Sequence, residues 1–410
     1  MAKRKPLVSP KKGEKEKDFS KRVLNEHSPR FKSHINPRII TWARERAGLT
    51  IKALAEKMGR DPDEIEVWES GLGNLSYATL EQLAYKHLKL PLAVFFFPEP
   101  PELEDPTKKF RRLPSYELER FSPDTYQKIH LGQAYHDSLS SLMMDIPIRR
   151  RVFRDLSPGS LEPVEFAKKT REYLGVTLEQ QTLFRSCETA FKAWRHAIED
   201  VAVFTFKDSF EDRFISGFSL FEDDYPIIFV NNSNAFPRQV FTLIHELGHI
   251  LYGVSGVTDI DESYIEMMED EESALEVKCN RFAAHLLVPD QSFREDLRYF
   301  QATGPDAISE IAQRYSVSRE VILRRLLDHG AVTKEYYERK ATDWNKDYLR
   351  RDKSTGGGNF YLTRLAYLGE GFARVAFENY HRGRVTRTEL ANHLNVNSRN
   401  LPKLERYMRW

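Results

Sequence analysis

Phe241-Thr-Leu-Ile-His245-Glu246-Leu-Gly248-His249-Ile-Leu251 places two histidines four residues apart, with a glutamate directly after the first. Residues at that spacing stack on one face of an α-helix, so both imidazoles can converge on one tetrahedral ion. The intervening carboxylate points to the side, where it can act as a base. Leu243, Leu247, Ile250 and Leu251 add an apolar stripe at helical intervals, which lets the segment be buried with its polar face on a cleft. Gly248 costs such a helix about 1 kcal/mol relative to Ala, and the simplest reason to carry it is a second backbone passing close by.

Two histidines need a third ligand. A histidine-rich set requires Gly and His three and six residues after His249, but those places hold Tyr252 and Ser255. A carboxylate from a later helix remains, and the acidic run 259–276 offers many. Periodicity selects among them. From Ser273 the chain reads as a helix capped by that serine and stopped by Pro289. On it Glu276, Asn280, Ala283, Ala284 and Leu287 share a small-residue face able to pack on the histidine helix, and Glu276 is the only carboxylate there. His285, nine residues on, falls about half a turn round. Glu262, Glu266, Glu269, Asp270, Glu271 and Glu272 read as a solvated acidic loop. The expected site is one Zn2+ on His245, His249 and Glu276, with Glu246 as the catalytic base.

The histidine segment, followed by Glu276-Val-Lys-Cys-Asn280-Arg-Phe282-Ala-Ala-His-Leu-Leu-Val-Pro289, resembles the ImmA/IrrE family of bacterial and phage zinc metallopeptidases. The resemblance runs from about residue 201 to 289. It implies a zincin-like core in which the histidine pair and a glutamate of the second helix hold zinc. It also implies a protein substrate that is a transcriptional repressor.

The whole chain has 410 residues, a net charge of +1 and two cysteines, Cys187 and Cys279. That length supports two or three domains, and the low cysteine count indicates a reducing, cytoplasmic setting. Neither the start nor any later stretch has the pattern of a signal peptide or membrane span, so no membrane partner is expected. Residues 1–35 are basic and aperiodic, as in a disordered tail able to touch phosphates.

From 36 to 100 the punctuation is regular. Helices open at Asn36-Pro37, Thr50, Asp61 (with a capping box to Glu64) and Ser76, and glycines 48, 59 and 71 close the first three. The order Ala-Arg-Glu-Arg-Ala-Gly-Leu-Thr50, Leu54-Ala-Glu-Lys-Met-Gly59, Ile65-Glu-Val-Trp-Glu-Ser-Gly71 resembles the XRE (Cro-like) repressor domain, a helix-turn-helix fold. Its recognition helix, the third of the four, begins with Asp61, Asp63, Glu64 and Glu66, which suits base contacts poorly. DNA contacts therefore fall to Lys52, Lys57 and Arg60, on phosphates. Phe95, Phe96 and Phe97 lie between prolines and read as a wedge between this domain and the next.

A charged linker at 101–121 leads to a helical and metallopeptidase domain at 122–330. Three β-rich runs, from Val201, Ile215 and Ile227, form a small sheet just before the histidine helix, and the second or third is expected to hold an extended substrate by strand addition. Residues 331–410 read as a C-terminal helical domain. A glycine-rich joint around Gly356 interrupts it, and a helix-turn-helix-like end carries Arg384, Arg387, Arg399 and Lys403.

The expected fold class is α+β and mostly helical. The function that follows is a zinc endopeptidase acting on a DNA-binding regulator, a repressor or antitoxin-like protein, in a stress, phage or mobile-element response, with DNA as a further partner. The alternative is a helix-turn-helix regulator whose metal is structural or sensory. The intact Glu246 favours the first, because a structural zinc needs no base.

Overall fold

The computed structural model describes residues 35–73, 75–88, 90, 92–100, 121–144, 150–212, 214–222, 224–259, 270–350 and 358–408. The expected basic tail up to residue 34, the linker 101–120, the acidic residues Glu262, Glu266 and Glu269, and the glycines at 356–357 lie outside them. The chain is mostly helical with one four-stranded mixed sheet, an α+β composition. The described residues fall into two compact units, 35–100 with 121–127, and 128–408.

The first unit contains α1 (Pro37–Arg46), α2 (Ile51–Met58), α3 (Pro62–Glu69) and α4 (Tyr77–Glu81), the last continuing as a π-helical turn over Gln82–His87. Each start is fixed by a side-chain oxygen. Asn36, Thr50, Asp61 and Ser76 accept from the backbone N–H of Arg38, Ala53, Asp63 and Thr79. Gly59 closes α2 in the left-handed conformation that only glycine adopts without strain. The capping box expected at α3 does not form, because the Glu64 carboxylate lies 2.6 Å from Arg60 instead. Ile39, Ile40, Leu54, Ile65, Leu80, Leu83 and Phe95 make one buried cluster. Phe95 is thus buried inside its own unit, whereas Phe96 and Phe97 are 36% and 45% exposed. Arg44 ties α1 to α3 with two hydrogen bonds to Glu69, at 2.6 and 2.9 Å.

The second unit takes up the long helix α5 (Pro123–Met143) from residue 128 onward. There follow α6 (Val152–Asp155), α7 (Pro163–Leu174), α8 (Leu178–Thr182) and α9 (Cys187–Glu199), then β1 (Phe204–Asp208), β2 (Ile215–Leu220) and β3 (Ile227–Asn231). The helix α10 (Phe236–Leu251) follows, then β4 (Gly256–Asp259) and α11 (Asp270–Leu287). The strand order is β1-β3-β2-β4, with β1 and β3 parallel and the other pairs antiparallel. The three β-rich runs account for β1 to β3. The fourth strand, only four residues long and placed after the histidine helix, carries no alternation that would mark it.

Its presence corrects one expectation. β2 and β3 are each paired on both sides, so their backbone groups are taken and neither can receive an added strand. The outer strands are β1 and β4.

α10 packs on the sheet between α9 and α11. Leu243, Ile244 and Leu247 are fully buried with Ile228, Val230, Phe282 and Leu286, each such side chain contributing about 1.5–3 kcal/mol. α11 begins at Asp270, one turn before Ser273, so the serine lies inside the helix and does not cap it. Residues 270–272, expected in the loop, are helical. At its other end the carbonyls of Leu286 and Leu287 accept from the buried side chains of Arg171 (2.7 Å) and Gln181 (2.9 Å). These bonds satisfy groups that a helix end leaves open.

Beyond Pro289 the helices are α12 (Asp290–Thr303), α13 (Ala307–Tyr315), α14 (Arg319–Asp328), α15 (Lys334–Arg350), α16 (Phe360–Leu368), α17 (Glu370–His381), α18 (Arg387–His393) and α19 (Leu401–Arg406). A 3-10 turn, Ser398–Asn400, leads into α19. No helix among the described residues is long and apolar enough to cross a membrane.

Candidate metal centre

His245 and His249 project from one face of α10, and their Nε2 atoms are 3.0 Å apart. Across from them α11 presents Glu276, whose carboxylate oxygens lie 3.2 Å from His245 Nε2 and 3.0 Å from His249 Nε2. All three residues are buried. A tetrahedral ion with ligands at 2.0–2.1 Å requires its ligand atoms to be about 3.3 Å apart. The three atoms are already near that spacing, so the donor set fits zinc in distance and in chemistry. His285, by contrast, is held by Arg325 (2.9 Å) and Asp290 (3.1 Å), away from this cluster.

The electrostatics follow from burial and proximity. Burial alone would raise the Glu276 carboxyl, but the His249 and His245 imidazoles outweigh it and hold the group well below the usual carboxylate range. At His249 burial works to lower the pKa, and Cys279 and Glu276 reverse that and leave it well above the ordinary imidazole value. Glu246 is fully buried, and desolvation raises its pKa against the opposing effect of the two histidines and of the Thr258 and Ser219 hydroxyls. The Thr258 hydroxyl donates to Glu246 Oε1 at 2.5 Å, while Oε2 has no hydrogen-bond partner among the described residues. One oxygen is anchored and the other is free.

Residues 198–327 match a peptidase family model described as the IrrE N-terminal-like domain. The chain is 36% identical over 114 residues to the radiation response metalloprotease IrrE of Deinococcus radiodurans, covering 27% of this chain and 34% of that protein. It is 32% identical over 113 residues to the protein of the same name from Deinococcus deserti, covering 27% and 39%. The chain thus spans about a third of the length of the curated relatives it matches. α10, β4 and α11 all lie inside the IrrE-like segment, which supports a metallopeptidase. The four-helix unit at 37–87 lies outside it.

Three supports of the site were not visible in the sequence. Thr258 and Ser219 come from strands that have no motif. Gly256 on β4 is the third. A Cβ built there would stand 2.6–2.7 Å from Cγ, Cδ2 and Nδ1 of His249, so the bare backbone of β4 backs the imidazole. Gly248 has a different neighbour from the one expected. A Cβ built there would stand 3.2–3.5 Å from the side chains of Phe282 and Cys279 on α11, which are its nearest neighbours in place of a backbone. We expect Gly256→Ala to displace the His249 ring and weaken zinc binding about 10–100-fold, as loss of a ligand-orienting contact does. Competition against a chromogenic chelator measures it, and wild-type affinity would remove Gly256 from the site.

The DNA contacts expected in the first unit are not equivalent. Lys52 and Lys57 are exposed on α2. Arg60 is paired with Glu64 and lies over the Trp68 ring at 5.2 Å, so it is already engaged.

Proposed function

We propose that this chain is a zinc-dependent endopeptidase that cuts a specific DNA-binding regulator. The observation carrying the reading is Glu246. A buried carboxylate with one oxygen tied to Thr258 and the other unpartnered, beside three convergent ligand atoms, has no structural purpose that a neutral side chain would not serve better. His245, His249 and Glu276 hold the ion. Bound there, zinc supplies Lewis acidity, lowering the pKa of a water and polarising the scissile carbonyl. Glu246 takes the proton from the attacking water and hands it to the leaving amine.

Among the described residues β4 is the outer strand beside α10, so an extended substrate segment can align along its unpaired edge, next to Gly256 and Thr258. A peptidase of this kind needs selection away from the cleft. The four-helix unit at 37–87, which we read as an XRE-type helix-turn-helix domain, supplies it by docking the regulator. Removal of residues 1–110 then abolishes cleavage.

The test compares newly generated protein termini in the native host expressing wild type or Glu246→Gln. One or a few cut sites in a DNA-binding protein, present only with wild type, support the reading. Many unrelated sites refute the narrow specificity, and identical termini at rest and under stress refute the peptidase in favour of a regulator with a structural metal.

A further inference from the structure

The same backbone device recurs between helices, and three of its instances lead into α3, α14 and the segment that contains α19. α2, α13 and α18 each end in a left-handed residue, Gly59, Ser316 and Asn395, with φ of 63°, 55° and 48°. After each, the next N–H returns to a carbonyl of the helix: Arg60 to Ala55, Val317 to Ala312, and Val396 to Ala391, at 2.9–3.0 Å. A side-chain cap then opens the following helical segment, from Asp61, Ser318 and Asn397. Such a joint sets two short helices at an angle and presents the second for recognition.

What the second helix displays differs in each case. α3 exposes Asp63, Glu64 and Glu66, which repel phosphate. α14 is buried through Val321, Ile322, Leu323, Arg325 and Leu326, and its Arg319 and Arg324 lie over the rings of Trp344 and Tyr337, each at 4.5 Å. Of these three, only the last has a free cationic face. Arg399, Lys403 and Arg406 follow one another at four and three residues, so they share one side of the Ser398–Arg406 segment, while Leu401 and Leu404 are buried on the other. All three are exposed, and their side chains have no hydrogen bond or ion pair among the described residues. The nearest carboxylate in sequence, Glu405, is occupied by His381 at 2.6 Å. Exposed Asn392 stands beside the turn, and an asparagine amide can read a base edge; Asn397 is engaged as the cap and Asn395 with Tyr135.

We propose that the α18–α19 pair, outside the IrrE-like segment, binds duplex DNA, with Arg399, Lys403 and Arg406 on the phosphates as α19 enters the major groove. The proposal does not depend on the peptidase reading. Fluorescence anisotropy of the full chain with a labelled mixed-sequence duplex, titrated from 50 to 200 mM salt, tests it. Each phosphate contact contributes about 0.9 to the slope of log K against log salt. The triple variant Arg399→Ala/Lys403→Ala/Arg406→Ala should therefore lower that slope by about 2.7 and weaken binding at least about tenfold at the lowest salt. Each single variant should lower it by about 0.9, which keeps the test open should the triple variant fold poorly. Absence of wild-type binding, an unchanged slope in the variants, or loss of binding on Lys52→Ala/Lys57→Ala instead would overturn the assignment. So would a tighter grip on single strands than on duplex.

Discussion

Glu246→Gln is expected to keep one metal ion per chain and to lose substrate cleavage by about 10²–10⁴-fold, the range a positioned acid–base group contributes. The amide preserves the volume and the hydrogen bond from Thr258, so α10 and its histidines are undisturbed. It cannot accept the proton of the attacking water. Removing a buried carboxylate that has one unpartnered oxygen also relieves a desolvation cost, so thermal stability should hold or rise slightly. Metal content, melting temperature and single-turnover cleavage of the regulator, measured on one preparation, separate the outcomes. Retained cleavage would remove Glu246 from the chemistry, and loss of metal would make it a ligand.

Glu276→Ala should lose bound zinc, because two imidazoles on one helix leave the ion half open to solvent and without charge neutralisation. Glu262→Ala and Glu272→Ala should keep it. The truncation also leaves His245 and His249 facing each other at 3.0 Å with no carboxylate between them and the opposite helix. α10 and α11 pack through Leu247, Phe282 and Leu286, so the fold should survive and circular dichroism should be unchanged. Full zinc occupancy in Glu276→Ala, with loss in either of the other two, would transfer the third ligand to the acidic run.

The parts of this molecule legible in the sequence are those written in local chemistry. Thr50, Asp61 and Ser76 cap helices where their oxygens stand next to free N–H groups, and Gly59 ends one where φ must be positive. The histidine spacing fixes two donors on one face, and the small residues of α11 are compatible with close approach to α10. The rest depends on tertiary placement. β4 is four residues long and forms because β2 is there to pair with it, so Gly256 and Thr258 gain their roles from a partner strand about forty residues away. Confusion of inner with outer strands has the same origin, since hydrophobic runs mark a strand but not its neighbours. Glu64 looked like half of a capping box, yet Arg60 offered a charged partner within one turn, and a charge-assisted bond prevails over a cap.

The most direct test of the metal centre is X-ray absorption at the zinc edge on the stoichiometrically loaded full chain. His245, His249 and Glu276 predict two imidazole nitrogens and one or two oxygens, all at about 2.0–2.2 Å. Cys279, buried beside Gly248, is the thiol that could compete. A sulfur scatterer at about 2.3 Å would contradict the assignment.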